Sequence, residues 1–123
     1  DVSNSDISNK RDMKKYCLET GLNVCYDLCH SHLYCNKNSV SVVDELLAIE
    51  KYVEHYHLSD AEGEDGEGLQ FGDGDLPFEK IIPILNKFEN KSFAIEVWKG
   101  HEQKGKGFEE FLDKVTQAGL SIT

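Results

Sequence analysis

Residues 53–60 read VEHYHLSD, and this short stretch decides how the rest of the chain is interpreted. Its side chains alternate, so Tyr56 and Leu58 share one face while His55 and His57 share the other, as in a β-strand. An apolar face of this kind suits packing against helices. The opposite face is left for polar groups, and His57 stands near the carboxyl end of the predicted strand.

Two other stretches repeat this design on either side of it. Residues 22–30 read LNVCYDLCH and residues 92–98 read SFAIEVW. Alternation places Asp27 on the polar face of the strand predicted at residues 22–30 and Glu96 on the polar face of the strand predicted at residues 92–98. Each of the three strands therefore has a strong metal-ligand residue type near its carboxyl end.

Helical patterns separate the strands. The predicted helices cover residues 9–20, 39–51, 76–88 and 108–117, with Gly21 ending the first, Ser39 or Ser41 capping the second and Asp75 capping the third. The order is one helix, then strand and helix three times, which predicts an α/β fold with parallel strands joined by right-handed crossovers. Residues 31–38 and 61–75 are predicted to be loops, and the acidic residues of the longer one, Glu67 among them, are expected to face solvent.

Composition narrows the possible partners. The chain has 123 residues, enough for one domain, with 23 acidic against 13 basic residues and a formal net charge of −10. That charge repels a phosphate backbone, so nucleic acid is a disfavoured partner. No apolar run approaches the roughly 20 residues that a membrane span needs. With no signal peptide in the sequence, a cytoplasmic location is expected.

The four cysteines have no zinc-ribbon spacing and are expected to be reduced thiols that serve mainly as packing atoms. One alternative stays open, because Cys29 and Cys35 flank His30 and His32 in the sequence. These four residues are compatible with a site for a soft metal ion.

Asp27, His57 and Glu96 are the main candidates for metal ligands. Parallel α/β folds place their binding sites at the carboxyl ends of the strands, where these three residues would meet. Two carboxylates and one imidazole suit a divalent cation such as manganese, magnesium, cobalt or zinc. The alternative is structural, since an Asp or His near a strand end often caps a neighbouring loop.

Four short segments resemble, in this order, the last strands of the xylose isomerase-like barrel superfamily. They are DLCH at residues 27–30, HLSD at 57–60, GDGD at 72–75 and IEV at 95–97, and the similarity runs from Met13 to Gly119. The superfamily includes sugar and sugar-phosphate isomerases and epimerases, and the apurinic-site endonucleases. The resemblance implies that residues 1–123 form one partial domain, the C-terminal half of a (β/α)8 TIM barrel with its last three strand–helix units and a preceding helix.

The resemblance also implies roles for individual residues. Asp27, His57 and Glu96 would bind a divalent metal ion, and Glu96 would also carry a proton between adjacent carbons of a sugar or sugar-like polyol. His30 would bind the substrate. Trp98 could stack against the sugar ring or simply fill space. His32 is expected to be an exposed loop residue, and His55 a core histidine with its hydrogen bonds satisfied.

Sugar enzymes of this superfamily need a second glutamate, from the strand before the first helix of this chain. We therefore expect the N-terminal half of the barrel, or a second copy of the chain, as a partner. The alternative is a non-catalytic half-barrel that serves assembly. An endonuclease-like phosphodiesterase is less favoured, because residues 65–71 contain no histidine for additional metal ions.

Overall fold

The structure is a computed structural model that describes residues 10–122, with side chains described from residue 13. Helices and strands alternate along most of the chain. In order they are α1 (Lys10–Thr20), β1 (Val24–Asp27), α2 (Leu28–Lys37), α3 (Val42–Ile49), β2 (Val53–Leu58), β3 (Asp60–Glu62), β4 (Gly66–Leu69), α4 (Phe78–Leu85), β5 (Ser92–Ile95) and α5 (Glu102–Gln117), with a 3-10 turn at Glu50–Tyr52 between α3 and β2.

The main sheet has three parallel strands in the order β1–β2–β5, which confirms the predicted arrangement. Its register aligns Asp27 with His57, and His57 with Ala94. The carboxyl ends of the strands consequently lie together at one edge of the sheet. Within residues 10–122 no further strand pairs with the outer edges of β1 and β5, so the barrel is not closed.

The apolar face of the sheet packs against the helices. Tyr56 is 1% exposed, stacks on Phe93 with ring centres 5.7 Å apart, and meets Tyr26 edge-on at 6.2 Å. Burying an aromatic side chain of this size stabilises the fold by roughly 1.5–3 kcal/mol. Phe111 from α5 and Leu46 from α3 complete the same core. This packing fixes the sheet, and with it the positions of the polar side chains on the other face.

Ser41 caps α3, and it is one of the two residues predicted to do so. Its hydroxyl accepts a hydrogen bond from the backbone N–H of Asp44. The helix is shorter than predicted and buries Val42, Leu46 and Ile49, while Leu47 is 45% exposed.

The prediction of a loop at residues 31–38 is wrong, because the chain enters α2 directly from β1 at Leu28. The strand therefore ends at Asp27, three residues earlier than the alternation suggested. Apolar side chains continue past that point, with Leu28 fully buried, but they are now spaced for a helix that packs against the sheet.

The loop predicted at residues 61–75 contains a second, two-stranded sheet. Strands β3 and β4 form an antiparallel hairpin, with Asp60 opposite Leu69 and Glu62 opposite Gly66. The hairpin folds over the carboxyl ends of the parallel strands, where α2 contacts both of its strands.

The last two helices also differ from the prediction in detail. Asp75 does not cap α4, which begins after Pro77 and includes Pro83. Helix α5 begins at Glu102, earlier than the predicted start at residue 108. Gln103 and Lys104 have left-handed backbone angles that form a kink, and the regular part of the helix follows this kink. None of the helices in residues 10–122 is long and apolar enough to cross a bilayer.

Candidate metal and substrate site

Three side chains from the three parallel strands meet above the sheet. Asp27 ends β1, His57 lies beside it in β2, and Glu96 follows directly after β5. The pairing continues through Glu96, whose backbone N–H donates to the carbonyl of Leu58 at 2.9 Å. This extra hydrogen bond fixes the backbone of Glu96 on the same level as His57.

The ligand atoms of Asp27, His57 and Glu96 all lie within 4.8 Å of one another. Nδ1 of His57 is 3.2 Å from Oε2 of Glu96 and 3.7 Å from Oδ2 of Asp27. Two carboxylate oxygens and one imidazole nitrogen at this spacing match the first coordination shell of a small divalent cation. The residues present therefore fit a metal ion, and their role as ligands stays a prediction.

Asp27 also has the structural role that the alternative interpretation assigned to such a residue. It is the N-cap of α2, and its Oδ1 accepts a hydrogen bond from the backbone N–H of His30 at 2.9 Å. Its other oxygen, Oδ2, faces the His57 ring and Nδ1 of His30. The two oxygens divide the two tasks, so capping the helix leaves one oxygen for a cation.

His30 bridges two carboxylates across the cleft. Its Nδ1 is 2.9 Å from Oδ2 of Asp27, and its Nε2 is 3.0 Å from Oε2 of Glu67. Partial burial by itself would lower the pKa of His30, but the hydrogen bond to Glu67 and the negative charge of Asp27 outweigh that effect. The pKa of His30 is therefore raised above its ordinary value.

Glu67 is the functional candidate that the sequence analysis missed. It is exposed, as expected for the acidic loop, but β4 also places its Oε2 beside Nε2 of His30 at the edge of the cleft. The glycines at 63 and 66 indicate a turn before it. A four-residue strand with two glycines is too short for its alternation to identify the inward face.

Trp98 lies at the rim of the cleft and is 68% exposed. Its backbone N–H donates to the carbonyl of Gly68 at 2.8 Å, and its indole ring covers the place where a Cβ of residue 68 would be. Gly68 also has a φ of +68°, a backbone conformation that glycine adopts without strain. The hairpin therefore supports the tryptophan through a residue that has no side chain.

Asp60 organises the turn at residues 72–75. Its side chain is 1% exposed, and its two oxygens accept four backbone N–H groups. Oδ1 accepts from Ala61 at 2.8 Å and from Leu76 at 3.2 Å, while Oδ2 accepts from Gly72 at 2.9 Å and from Gly74 at 3.1 Å. A carboxylate that satisfies four amides holds the backbone in one conformation.

The expectation that His32 is an exposed loop residue is wrong. His32 lies in α2, is 7% exposed, and places Nε2 2.7 Å from Oδ1 of Asp75. The turn that Asp60 organises supplies this partner, and the helix turns the imidazole toward it. His32 therefore joins α2 to the turn and does not line the cleft.

His55 is not a core residue in this structure. It is partly exposed, so the prediction that it is buried in the core is wrong. Its Nδ1 is 2.6 Å from Oγ of Ser92, which agrees with the prediction that it has a hydrogen-bond partner. Sheet residues that would face a barrel interior are open to solvent because three strands do not enclose one. The predicted soft-metal group at Cys29, Cys35, His30 and His32 is not among the ligand clusters found in residues 13–122.

The five residues singled out from the sequence, Asp27, His30, His57, Glu96 and Trp98, line one open cleft of about 590 Å³ together with Glu67. In the described part of the chain no lysine or arginine lines it. Partial burial and the negative charges of Asp27 and Glu96 also raise the pKa of the Cys25 thiol in its floor. The cleft is thus strongly negative, which favours a cation and opposes an anionic ligand.

A family model described as xylose isomerase-like TIM barrel matches residues 5–117, which include all five strands and the cleft. A comparison with curated proteins finds no significant match.

Proposed function

The chain belongs to the xylose isomerase-like TIM barrel family, and from that premise we propose that its cleft takes part in metal-dependent isomerisation or epimerisation of a sugar. The observation that supports the proposal best is the meeting of Asp27, His57 and Glu96 within 4.8 Å at the carboxyl ends of three parallel strands. The reaction would move a proton between adjacent carbons of a sugar or sugar-like polyol.

The proposed cofactor is one divalent cation, with manganese, magnesium, cobalt and zinc as candidates. Bound by Asp27, His57 and Glu96, it would supply positive charge that stabilises the negative charge developing on neighbouring substrate oxygens. Asp27 would contribute Oδ2, because its Oδ1 caps α2.

Glu96 is the proposed proton carrier. Its carboxylate is about half exposed at the mouth of the cleft, so a substrate can reach it, and its backbone is fixed by the hydrogen bond to Leu58. His30 would bind a substrate hydroxyl through Nε2, in place of its contact with Glu67. The exposed ring of Trp98 would stack against the apolar face of the sugar.

The charge of the cleft favours a neutral substrate. Three carboxylates, Asp27, Glu67 and Glu96, line it, and no lysine or arginine of residues 13–122 lines it. A phosphate or carboxylate group on the sugar would meet repulsion there. We therefore propose an unphosphorylated sugar, and the overall charge of −10 argues against nucleic acid.

Proton transfer of this kind needs a second carboxylate on the opposite face of the sugar. We propose that a partner supplies this carboxylate. The outer edges of β1 and β5 have no pairing strand within residues 10–122. The N-terminal half of a barrel or a second copy of this chain would pair with those edges and bring the missing group to the cleft.

A non-catalytic half-barrel that serves assembly is the second candidate. The same open edges favour it, because they support association whether or not chemistry follows. An endonuclease-like function is less favoured, since residues 65–71 offer no histidine for additional metal ions.

Metal-dependent thermal stability tests the site. A ligand at 100 times its Kd stabilises a protein by about 2.7 kcal/mol, which raises the Tm of a domain of this size by several degrees. We expect manganese to raise the Tm of the wild-type chain and of Glu64→Gln, an exposed carboxylate at the hairpin tip. Glu96→Gln should lose most of the shift. An equal shift in Glu96→Gln would refute the site.

A further inference from the structure

A second set of ligand atoms lies one layer below the first. Cys25 pairs directly with His55 across β1 and β2, and His57 follows two residues later on the same face. The ligand atoms of these three residues also lie within 4.8 Å of one another. The His55 and His57 rings stand edge-to-face with their centres 5.2 Å apart, so neither ring blocks the other.

The chemistry of this set differs from that of the first. A soft thiolate, formed when the metal ion displaces the proton of Cys25, and two imidazoles match the tetrahedral shell of zinc or cobalt, with water in the fourth position. Magnesium and manganese favour the oxygen ligands of Asp27 and Glu96. Two sets of ligands of different softness therefore lie beside each other and share His57.

His55 is already oriented for coordination. Nδ1 of His55 is 2.6 Å from Oγ of Ser92, and that hydroxyl also lies 3.5 Å from the carbonyl of Glu54. When the Ser92 hydroxyl donates to that carbonyl, Nδ1 of His55 carries the imidazole proton and Nε2 keeps the lone pair that binds a metal ion. Metal-binding histidines are commonly held by this kind of outer hydrogen bond, which fixes both the tautomer and the ring orientation.

His57 belongs to both sets. Its Nδ1 faces Glu96 at 3.2 Å and Asp27 at 3.7 Å, so Nε2 is the nitrogen that these carboxylates leave open. A neutral imidazole has a single nitrogen lone pair and can serve one ion at a time. An ion bound with Cys25 and His55 would therefore withdraw His57 from Asp27 and Glu96.

We propose that Cys25, His55 and His57 form a distinct site for a soft divalent cation such as zinc, which competes with the hard site for His57. This inference does not depend on the sugar reaction. If the proposed function is also correct, zinc in the soft site would suppress it by removing one ligand from the catalytic ion.

Cobalt absorption tests the soft site in the 123-residue chain, because cobalt bound to a thiolate gives a near-ultraviolet charge-transfer band and cobalt bound only to oxygen and nitrogen does not. We expect the band in the wild type. It should also appear in Cys29→Ser, the matched control, whose thiol lines the same cleft. It should be absent in Cys25→Ser, an exposed position where serine is tolerated, as checked by far-ultraviolet circular dichroism.

Two further variants separate this inference from the proposed function. Losing an outer hydrogen bond to a metal ligand weakens binding 10–100-fold, so loss of the ligand in His55→Ala should weaken cobalt binding at least about tenfold. Asp27→Asn should keep the band, since Asp27 is not in this set. A wild type without the band, or a band that persists in Cys25→Ser, would overturn the inference. Unaltered manganese stabilisation in Glu96→Gln would overturn only the hard site.

Discussion

At the scale of single residues, the cleft is built from side chains that have structural as well as chemical partners. Asp27 caps a helix with one oxygen and faces two histidines with the other. His57 stands between two possible sets of ligands. Substitutions that remove either the structural or the chemical role of a side chain, and keep the other role, can therefore separate the two.

The two oxygens of Asp27 can be tested separately. In Asp27→Asn the amide oxygen still accepts from the N–H of His30, but the negative charge is gone, so we expect stability close to the wild type and weaker manganese binding. In Asp27→Ala the cap is lost as well, which should reduce the free energy of unfolding by about 1 kcal/mol. Thermal melting with and without manganese measures both effects. Equal stability of the two variants would contradict the capping role.

His30 provides a pH-dependent test of the contact with Glu67. We expect Glu67→Gln to lower the pKa of His30 in the metal-free chain, while Glu64→Gln leaves it unchanged. NMR titration of the imidazole protons measures this pKa. A pKa that is the same in Glu67→Gln and wild type would show that the hydrogen bond does not form in solution.

The raised pKa of His30 determines at which pH Glu67→Gln lowers the stability of the fold. A histidine whose pKa is higher in the folded than in the unfolded chain stabilises the fold fully below the unfolded pKa, and this contribution is lost as the pH rises through the folded pKa. Glu67→Gln should therefore destabilise the chain more at acidic than at alkaline pH, as urea unfolding at both would show.

At the scale of the elements, the three parallel strands could be predicted because each has an apolar face that packs against the core and alternates with a polar face. The start of α2 could not, because Leu28 and Cys29 continue the apolar content of β1 while the backbone changes from strand to helix. The cap that marks the change is Asp27, which the alternation had already assigned to the strand. The hairpin was missed because β3 has only three residues and two of the four residues of β4 are glycine, which leaves too few side chains to alternate.

The hairpin should control the position of Trp98, the single tryptophan of the chain. Gly68→Ala adds a methyl group where the indole ring lies, so we expect the ring to be displaced. Gly63→Ala is the matched control, because its φ of +65° imposes similar backbone strain but nothing lies within 4 Å of the added carbon. Tryptophan emission and anisotropy should change in Gly68→Ala and stay as in the wild type in Gly63→Ala. Identical spectra from both would contradict the packing.

At the scale of the whole molecule, the described chain is part of a barrel whose sheet has open edges. The parallel order and the position of the cleft followed from the sequence, because repeated strand–helix units fix both. The partner of the outer edges of β1 and β5 could not be predicted from the sequence, because edge pairing depends on residues that are not in these three strands.

We expect the purified chain to associate through those edges. Its formal charge of −10 opposes the approach of two copies, so added salt should screen the repulsion and strengthen association. Sedimentation at several protein and salt concentrations measures the average mass. A mass equal to one chain under all conditions would exclude a second copy as the partner.

The Asp60 carboxylate has a consequence for how the molecule behaves toward proteases and in deuterated solvent. Acidic, glycine-rich surface segments are usually the first to be cut and to exchange their amide protons, but here the amides of Gly72, Gly74 and Leu76 are tied to one buried side chain. These three amides should exchange slowly and together, when the whole turn opens. The hairpin tip around Gly63 is held by an exposed hydrogen bond from the side chain of Asn36 to the Gly63 carbonyl, which is a weaker anchor, so a protease should cut there first.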